Sequence, residues 1–128
     1  MMQLDAIGII SQNMEKSAEF YGLLGISFEQ VGGPDHWEGI TSSGVRIMLD
    51  SEKLMKQLDP NWQRTTGVAM VLCFKQETPA QVDERFAQIT QAGFTHKTEP
   101  WDAFWGQRYA SVMDPDGNQI DLFAALPQ

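Results

Sequence analysis

Twice in this chain an apolar strand leads into a capped amphipathic helix that stops at a glycine, and the two glycines, Gly25 and Gly93, stand 68 residues apart. In the first copy, Leu4 to Ser11 reads as a buried strand and Asn13 as the helix cap. Met14, Ala18, Tyr21 and Leu24 recur at helical spacing before Gly25 closes the helix. Strands follow at Ile26 to Val31, His36 to Thr41 and Val45 to Asp50, the last two joined by the Ser42-Ser43-Gly44 turn. In the second copy, Gly67 to Lys75 is the strand and Thr78-Pro79-Ala80-Gln81 a capping box with proline at the first helical position. Val82, Phe86 and Ile89 form its apolar stripe, Gly93 ends it, and Phe94 to Thr98 opens the strands after it. A duplicated unit of this kind predicts an α+β fold of two βαβββ modules packed around a shared interior. The chain is read as a single domain, 1–128, with module 1 at about 3–51, a linker at 52–66 and module 2 at about 67–125. Within the linker, Leu54, Met55 and Leu58 predict a short helix that Asp59-Pro60 stops.

The second copy ends in a hairpin, WDAFWGQRYASVMDPDGNQIDLFA, spanning Trp101 to Ala124. Its turn is Asp114-Pro115-Asp116-Gly117-Asn118, where proline presets φ and Gly117 supplies a positive one. The alternation of its flanks puts Tyr109, Ser111 and Met113 on one face with Gln119, Asp121 and Phe123.

Charge narrows the partners. Nine basic against 17 acidic residues leave a net charge of −8, which repels nucleic acid and anionic membranes and favours cationic small molecules. The single cysteine, Cys73, forms no disulfide within the chain, and an apolar surrounding predicts a buried, inert thiol. With no signal-peptide pattern and no apolar run near ~18 residues, a cytoplasmic location is expected.

Candidate binding residues concentrate in the hairpin. Trp101, Phe104 and Trp105 suit stacking on a flat or cationic ligand, or else packing in a core or interface. Arg108 either clamps an anion bidentately or pairs with an acid such as Asp102. Asp121 is a cavity acid, base or acceptor, or else a solvated or salt-bridged carboxylate. His36 and Glu38 share a strand face, as a metal or proton-transfer pair or as an edge-strand surface pair. Met48, Met70 and Met113 read as cavity or core fillers, and no Ser-His-Asp set or phosphate-cradling glycine loop is present.

Ile7-Gly8-Ile9-Ile10, Met14 through Tyr21, Leu24-Gly25, Trp105-Gly106-Gln107-Arg108 and the Asp114-to-Asn118 turn running into Ile120 through Phe123 together resemble the vicinal oxygen chelate superfamily. That superfamily includes glyoxalase I, extradiol dioxygenases and the fosfomycin and bleomycin resistance proteins. The resemblance implies the glyoxalase/bleomycin resistance fold, with its modules forming a cavity-lining curved sheet. It also implies four metal-ligand positions, which fall here at Ala6, about Met48, Val68 or Ala69, and Asp121. Only Asp121 carries a ligand-type group, and Gly67 beside the third position is inert as well. The expectation is therefore no metal and no cofactor. Closest in character are the metal-free, bleomycin-resistance-like members, which hold a ligand between two protomers of a homodimer. In that reading a cationic or aromatic small molecule binds against Trp101, Phe104, Trp105 and Arg108, with Asp50 or Asp121 as acid contacts and Met48 among the cavity fillers. The alternative is a glyoxalase-like lyase or isomerase whose ion is held by a relocated set, His36, Glu38 and Asp121.

Overall fold

The computed structural model describes residues 2–128. The chain divides into two compact units, one ending at Thr65 and the other running from Thr66 to Gln128. The division falls at the end of the predicted linker.

In the first unit, β1 (Ala6–Ser11), α1 (Met14–Gly22), β2 (Glu29–Gln30), β3 (His36–Ile40) and β4 (Arg46–Ser51) are followed by α2 (Glu52–Leu58). Asn13 caps α1 as expected, its side chain accepting from the Lys16 N–H at 3.1 Å. The buried stripe of α1 differs from the expected one, being Ser17, Phe20 and Tyr21. Ser17 belongs inside because its hydroxyl meets that of buried Ser11 at 2.6 Å, so neither oxygen is left without a partner. After α1 the chain reverses through Gly25 at φ +92, and the Ile26 N–H reaches back to the Tyr21 carbonyl at 3.0 Å. The strand expected from Ile26 to Val31 shrinks to the two residues of β2. A Cβ on Gly39 would lie 2.7 Å from Ile26 Cγ2 and 2.7 Å from the Ser27 carbonyl oxygen. The segment before β2 thus packs down on β3 and makes no ladder with it. Sheet order is β1-β4-β3-β2, with β1 and β4 parallel and the rest antiparallel. Ile9, Ile47 and Leu49 are buried together with Phe20, Tyr21 and Ile26.

The second unit repeats the plan. Its elements are β5 (Val71–Lys75), α3 (Pro79–Gln91), β6 (His96–Ala103), β7 (Gln107–Met113) and β8 (Gln119–Ala125), in sheet order β5-β8-β7-β6. The capping box of Thr78 and Gln81 forms in full, with proline in the first turn. Gly93 takes φ +94, and the Phe94 N–H reaches the Ile89 carbonyl at 3.3 Å, the same exit as in the first unit. Val82 and Ile89 of α3 are buried, as are Ala110, Val112, Ile120, Leu122 and Ala124 of the sheet. Phe86, expected in that stripe, is half-buried and meets His96 edge-on at 5.8 Å.

The expected strand Gly67 to Lys75 begins four residues late. β8 starts only after the turn, at Gln119, and its partner in register is Val71. Residues ahead of Val71 have no strand to pair with, and Val68 and Met70 are exposed despite being apolar. Cys73 is exposed as well, contrary to the expectation of a buried thiol, because its strand lies at the sheet edge with that face uncovered by α3.

Candidate functional site

The parallel pairing of β5 with β8 and the antiparallel pairing of β8 with β7 and β7 with β6 line residues up in rows across the second sheet. One row is Trp101, Tyr109, Phe123 and Lys75; the next contains Ser111, Asp121 and Cys73. These side chains lie on the face opposite the buried Ala110, Val112, Ile120 and Leu122. The hairpin face expected from alternation, Tyr109-Ser111-Met113 against Phe123-Asp121-Gln119, is the one formed.

Aromatic rings run along the first row in contact. Trp101 meets Trp105 edge-on at 5.5 Å, Trp105 meets Tyr109 at 5.3 Å, and Tyr109 stacks on Phe123 at 6.2 Å. Phe104 adds an edge contact to Trp105 at 4.9 Å from the turn between β6 and β7, where its own side is 90% exposed. The indole N–H of Trp105 is held by Gln107 at 2.8 Å, which fixes the ring plane. Trp101 and Trp105 remain 40% and 48% exposed, so the row presents aromatic surface outward.

Asp121 stands in the neighbouring row on the same face and is buried. It accepts from the Tyr109 hydroxyl at 2.5 Å, from the Ser111 hydroxyl at 2.7 Å and from the Gln119 amide at 2.8 Å. The side-chain Oε1 of Gln119 in turn accepts from the Lys97 ammonium at 2.5 Å. Three donors leave neither oxygen of this buried carboxylate without a partner. Burial, then the hydrogen bond to Asp121, then Cys73 push the Tyr109 hydroxyl far above its ordinary titration range. Tyr109 is therefore a neutral phenol that donates its proton in a hydrogen bond to Asp121.

Arg108 is not part of this group. It alternates onto the α3 side of the sheet, where Asp83 accepts at 3.0 Å and Asp102 at 3.0 Å. Those acids raise the guanidinium further, with the Asp83 hydrogen bond the larger cause. Of the two readings open for Arg108, the pair with acids is the geometry formed.

In the first unit, Met48, Asp50 and Gly8 share a sheet face with His36 and Glu38. A charged chain crosses it. Asp50 lies 2.5 Å from His36 Nδ1, Glu38 2.7 Å from His36 Nε2, Glu38 2.9 Å from Arg46, and Arg46 2.7 Å from Asp5. An imidazole facing two carboxylates donates from both nitrogens, which requires the imidazolium. Accordingly the hydrogen bonds to Asp50 and then Glu38 raise the His36 pKa above 6.5, and His36 and then Arg46 lower that of Glu38. Both ring nitrogens that would ligate an ion in the relocated set are thus engaged in hydrogen bonds to Asp50 and Glu38. Met48 lies within the same face, its Cε 3.7 Å from where a Cβ of Gly8 would be.

The four positions that the resemblance assigns to a metal do not suit one. Pairing of Ala6 with Arg46 and of Gly8 with Met48 in the first unit matches that of Val71 with Gln119 and of Cys73 with Asp121 in the second. The third position is therefore Val71, shifted from Val68 or Ala69 because the strand starts late. Ala6, Met48 and Val71 offer no oxygen or nitrogen ligand, and Asp121 already accepts three hydrogen bonds. Among the described residues no three His, Cys, Asp or Glu side chains converge to hold an ion.

Two residues central to this arrangement were not singled out as site residues from the sequence: Tyr109 and Phe123. Their signal was available, since both fall on the alternating face with Asp121, but nothing local marks Tyr109 as the link between the aromatic row and the carboxylate.

The architecture of two strand-helix-strand repeats with open sheet faces is shared with known proteins. The sequence profile of the Glyoxalase/Bleomycin resistance protein/Dioxygenase superfamily matches residues 3–122, and the chain belongs to that superfamily. Among solved structures, a glyoxalase/bleomycin resistance protein/dioxygenase family enzyme from Burkholderia phytofirmans superposes with a TM-score of 0.87 at 19% identity, over 98% of this chain and 100% of that one. A glyoxalase/dioxygenase from Nostoc punctiforme gives 0.73 at 24% identity, over 98% and 92%. A protein from Agrobacterium tumefaciens solved by NMR gives 0.78 at 26% identity, over 99% and 100%. No curated protein matches the chain.

Proposed function

We propose that this protein binds a small aromatic molecule against the row of Trp101, Trp105, Tyr109 and Phe123 and holds it without converting it. The observation that carries this reading is the unbroken ring contact from Trp101 to Phe123, half of it exposed, with a buried carboxylate hydrogen-bonded to its Tyr109. Flat rings presented edge and face outward bury a planar ligand at small conformational cost. The absence of ligand-type side chains at Ala6, Met48 and Val71 supports binding over the metal-assisted proton transfer of a lyase or isomerase. Two protomers form the working unit in this proposal, and a cytoplasmic location accords with an exposed, unpaired Cys73.

Tryptophan fluorescence tests the binding. Titration with planar aromatic compounds is expected to quench emission, with the quenching reduced about tenfold or more in affinity by Trp105→Ala, as befits loss of a stacking ring. Emission unchanged across a panel of such compounds, in a protein shown folded by circular dichroism, overturns the proposal.

A further inference from the structure

We propose that the site is selective for cationic aromatic ligands, and that Tyr109, oriented by Asp121, makes the selection. The inference rests on the aromatic-site reading above and adds the chemical class of the ligand.

The argument starts from the hydroxyl of Tyr109. Its single proton is committed to Asp121 Oδ2 at 2.5 Å, so what the oxygen offers to anything else, the neighbouring Cys73 thiol included, is lone pairs. That hydrogen bond is not given up cheaply. The carboxylate is 6% exposed, and its other oxygen is already taken by Ser111 and Gln119. A ligand at the row therefore meets an acceptor where a freely rotating phenol would offer either role. An ammonium or amidinium N–H finds a partner there, and a carboxylate or phenolate finds repulsion.

The rings point the same way. The faces of Trp101, Trp105 and Tyr109 carry the negative side of the aromatic quadrupole, which attracts a cation and repels an anion. Tyr109 is further polarised by an anion hydrogen-bonded to its hydroxyl, which makes its oxygen and ring more electron-rich. The row's cation by register, Lys75, lies beyond Phe123 at the far end, while Lys97 is engaged with Gln119. The chain's net charge of −8 adds a long-range field of the same sign. Asp121 is thus a positioning residue: its charge reaches the ligand through Tyr109.

Three probes of one shape separate the claims: naphthylmethylammonium, naphthylmethanol and naphthoate, followed by the indole N–H resonances of Trp101 and Trp105. The cation is expected to bind on the order of tenfold more tightly than the alcohol, and naphthoate more weakly than either. Tyr109→Phe is expected to weaken the cation more than the alcohol and to bring the cation-to-alcohol ratio closer to one. Asp121→Asn should lower the same ratio, and because it alters the buried cluster, the Tyr109→Phe ratio decides. A merely structural role for either residue would weaken all three probes together and leave the ratio unchanged, which overturns the inference. Equal binding of cation and alcohol by the unaltered protein overturns it too, while leaving the aromatic site standing. Unshifted Trp101 and Trp105 resonances with all three probes overturn the site itself.

Discussion

At the scale of single residues, His36 and Asp114 carry the sharpest consequences. His36 stands between Asp50 and Glu38, and its folded pKa is raised above the 6.5 of a free imidazole. A raised pKa means that the charged form is favoured in the folded state. The stabilisation is full below about pH 6 and is lost as pH rises through the folded value. Glu38 has the opposite sign: its pKa is lowered, so its contribution is present above its ordinary range and fades as pH falls through the folded value. Melting temperature should accordingly peak between the two titrations, and His36→Gln should flatten its alkaline decline; an unchanged decline in that variant would show the imidazolium to be irrelevant. Asp114 is buried and ties its turn together, accepting from the N–H groups of Asp116 and Asn118 and from the Asn118 amide at 2.8 to 2.9 Å. Asp114→Ala leaves those donors to find water or nothing. It should cost about 1–3 kcal/mol in denaturant unfolding. This turn was legible in the sequence, since Asp-Pro-Asp-Gly-Asn names its own backbone geometry. The His36 cluster was half legible: spacing paired His36 with Glu38, but Asp50 joins only through the β3–β4 register.

Among the elements, caps and turns were readable and strand lengths were not. Thr78-Pro79-Ala80-Gln81 foretold the start of α3 because capping is a contact between near neighbours. Thr78→Ala is expected to lower stability by about 1 kcal/mol. Strand extent depends on a distant partner. Ile26 to Phe28 and Gly67 to Met70 are apolar enough for strands, yet the first packs onto Gly39 and the second precedes the start of β8. The close approach at Gly39 can be tested directly. Gly39→Val forces a side chain against backbone at the Ser27 carbonyl and should destabilise by roughly 1–3 kcal/mol or prevent accumulation of folded protein. A silent Gly39→Val would mean that the Ile26 segment is not held where it lies. The stripe of α1 was expected at Met14, Ala18, Tyr21 and Leu24, and it missed Ser17 for a chemical reason: a serine goes inside only because Ser11, on another element, supplies its partner.

For the whole molecule, the duplication was the most legible feature, because two helices with the same glycine exit repeat at a fixed distance. Sequence also exposed the empty ligand positions, since Ala6 and Met48 need no structure to be recognised as inert toward a metal. What it could not supply was the hub at Tyr109, which depends on three strands lying side by side. Sedimentation equilibrium tests the proposed pairing of protomers: a mass twice that of the 14.4 kDa chain is expected, and a single-chain mass at micromolar concentration would remove it. Cys73 gives all this a practical handle. It is the chain's sole cysteine, it is exposed, and it lies beside Asp121 in the ladder, one row from Tyr109. Nature has in effect placed a labelling site at the edge of the aromatic row. A maleimide dye attached there needs no engineered mutation to report occupancy, and ligand bound at the row should slow the thiol's alkylation.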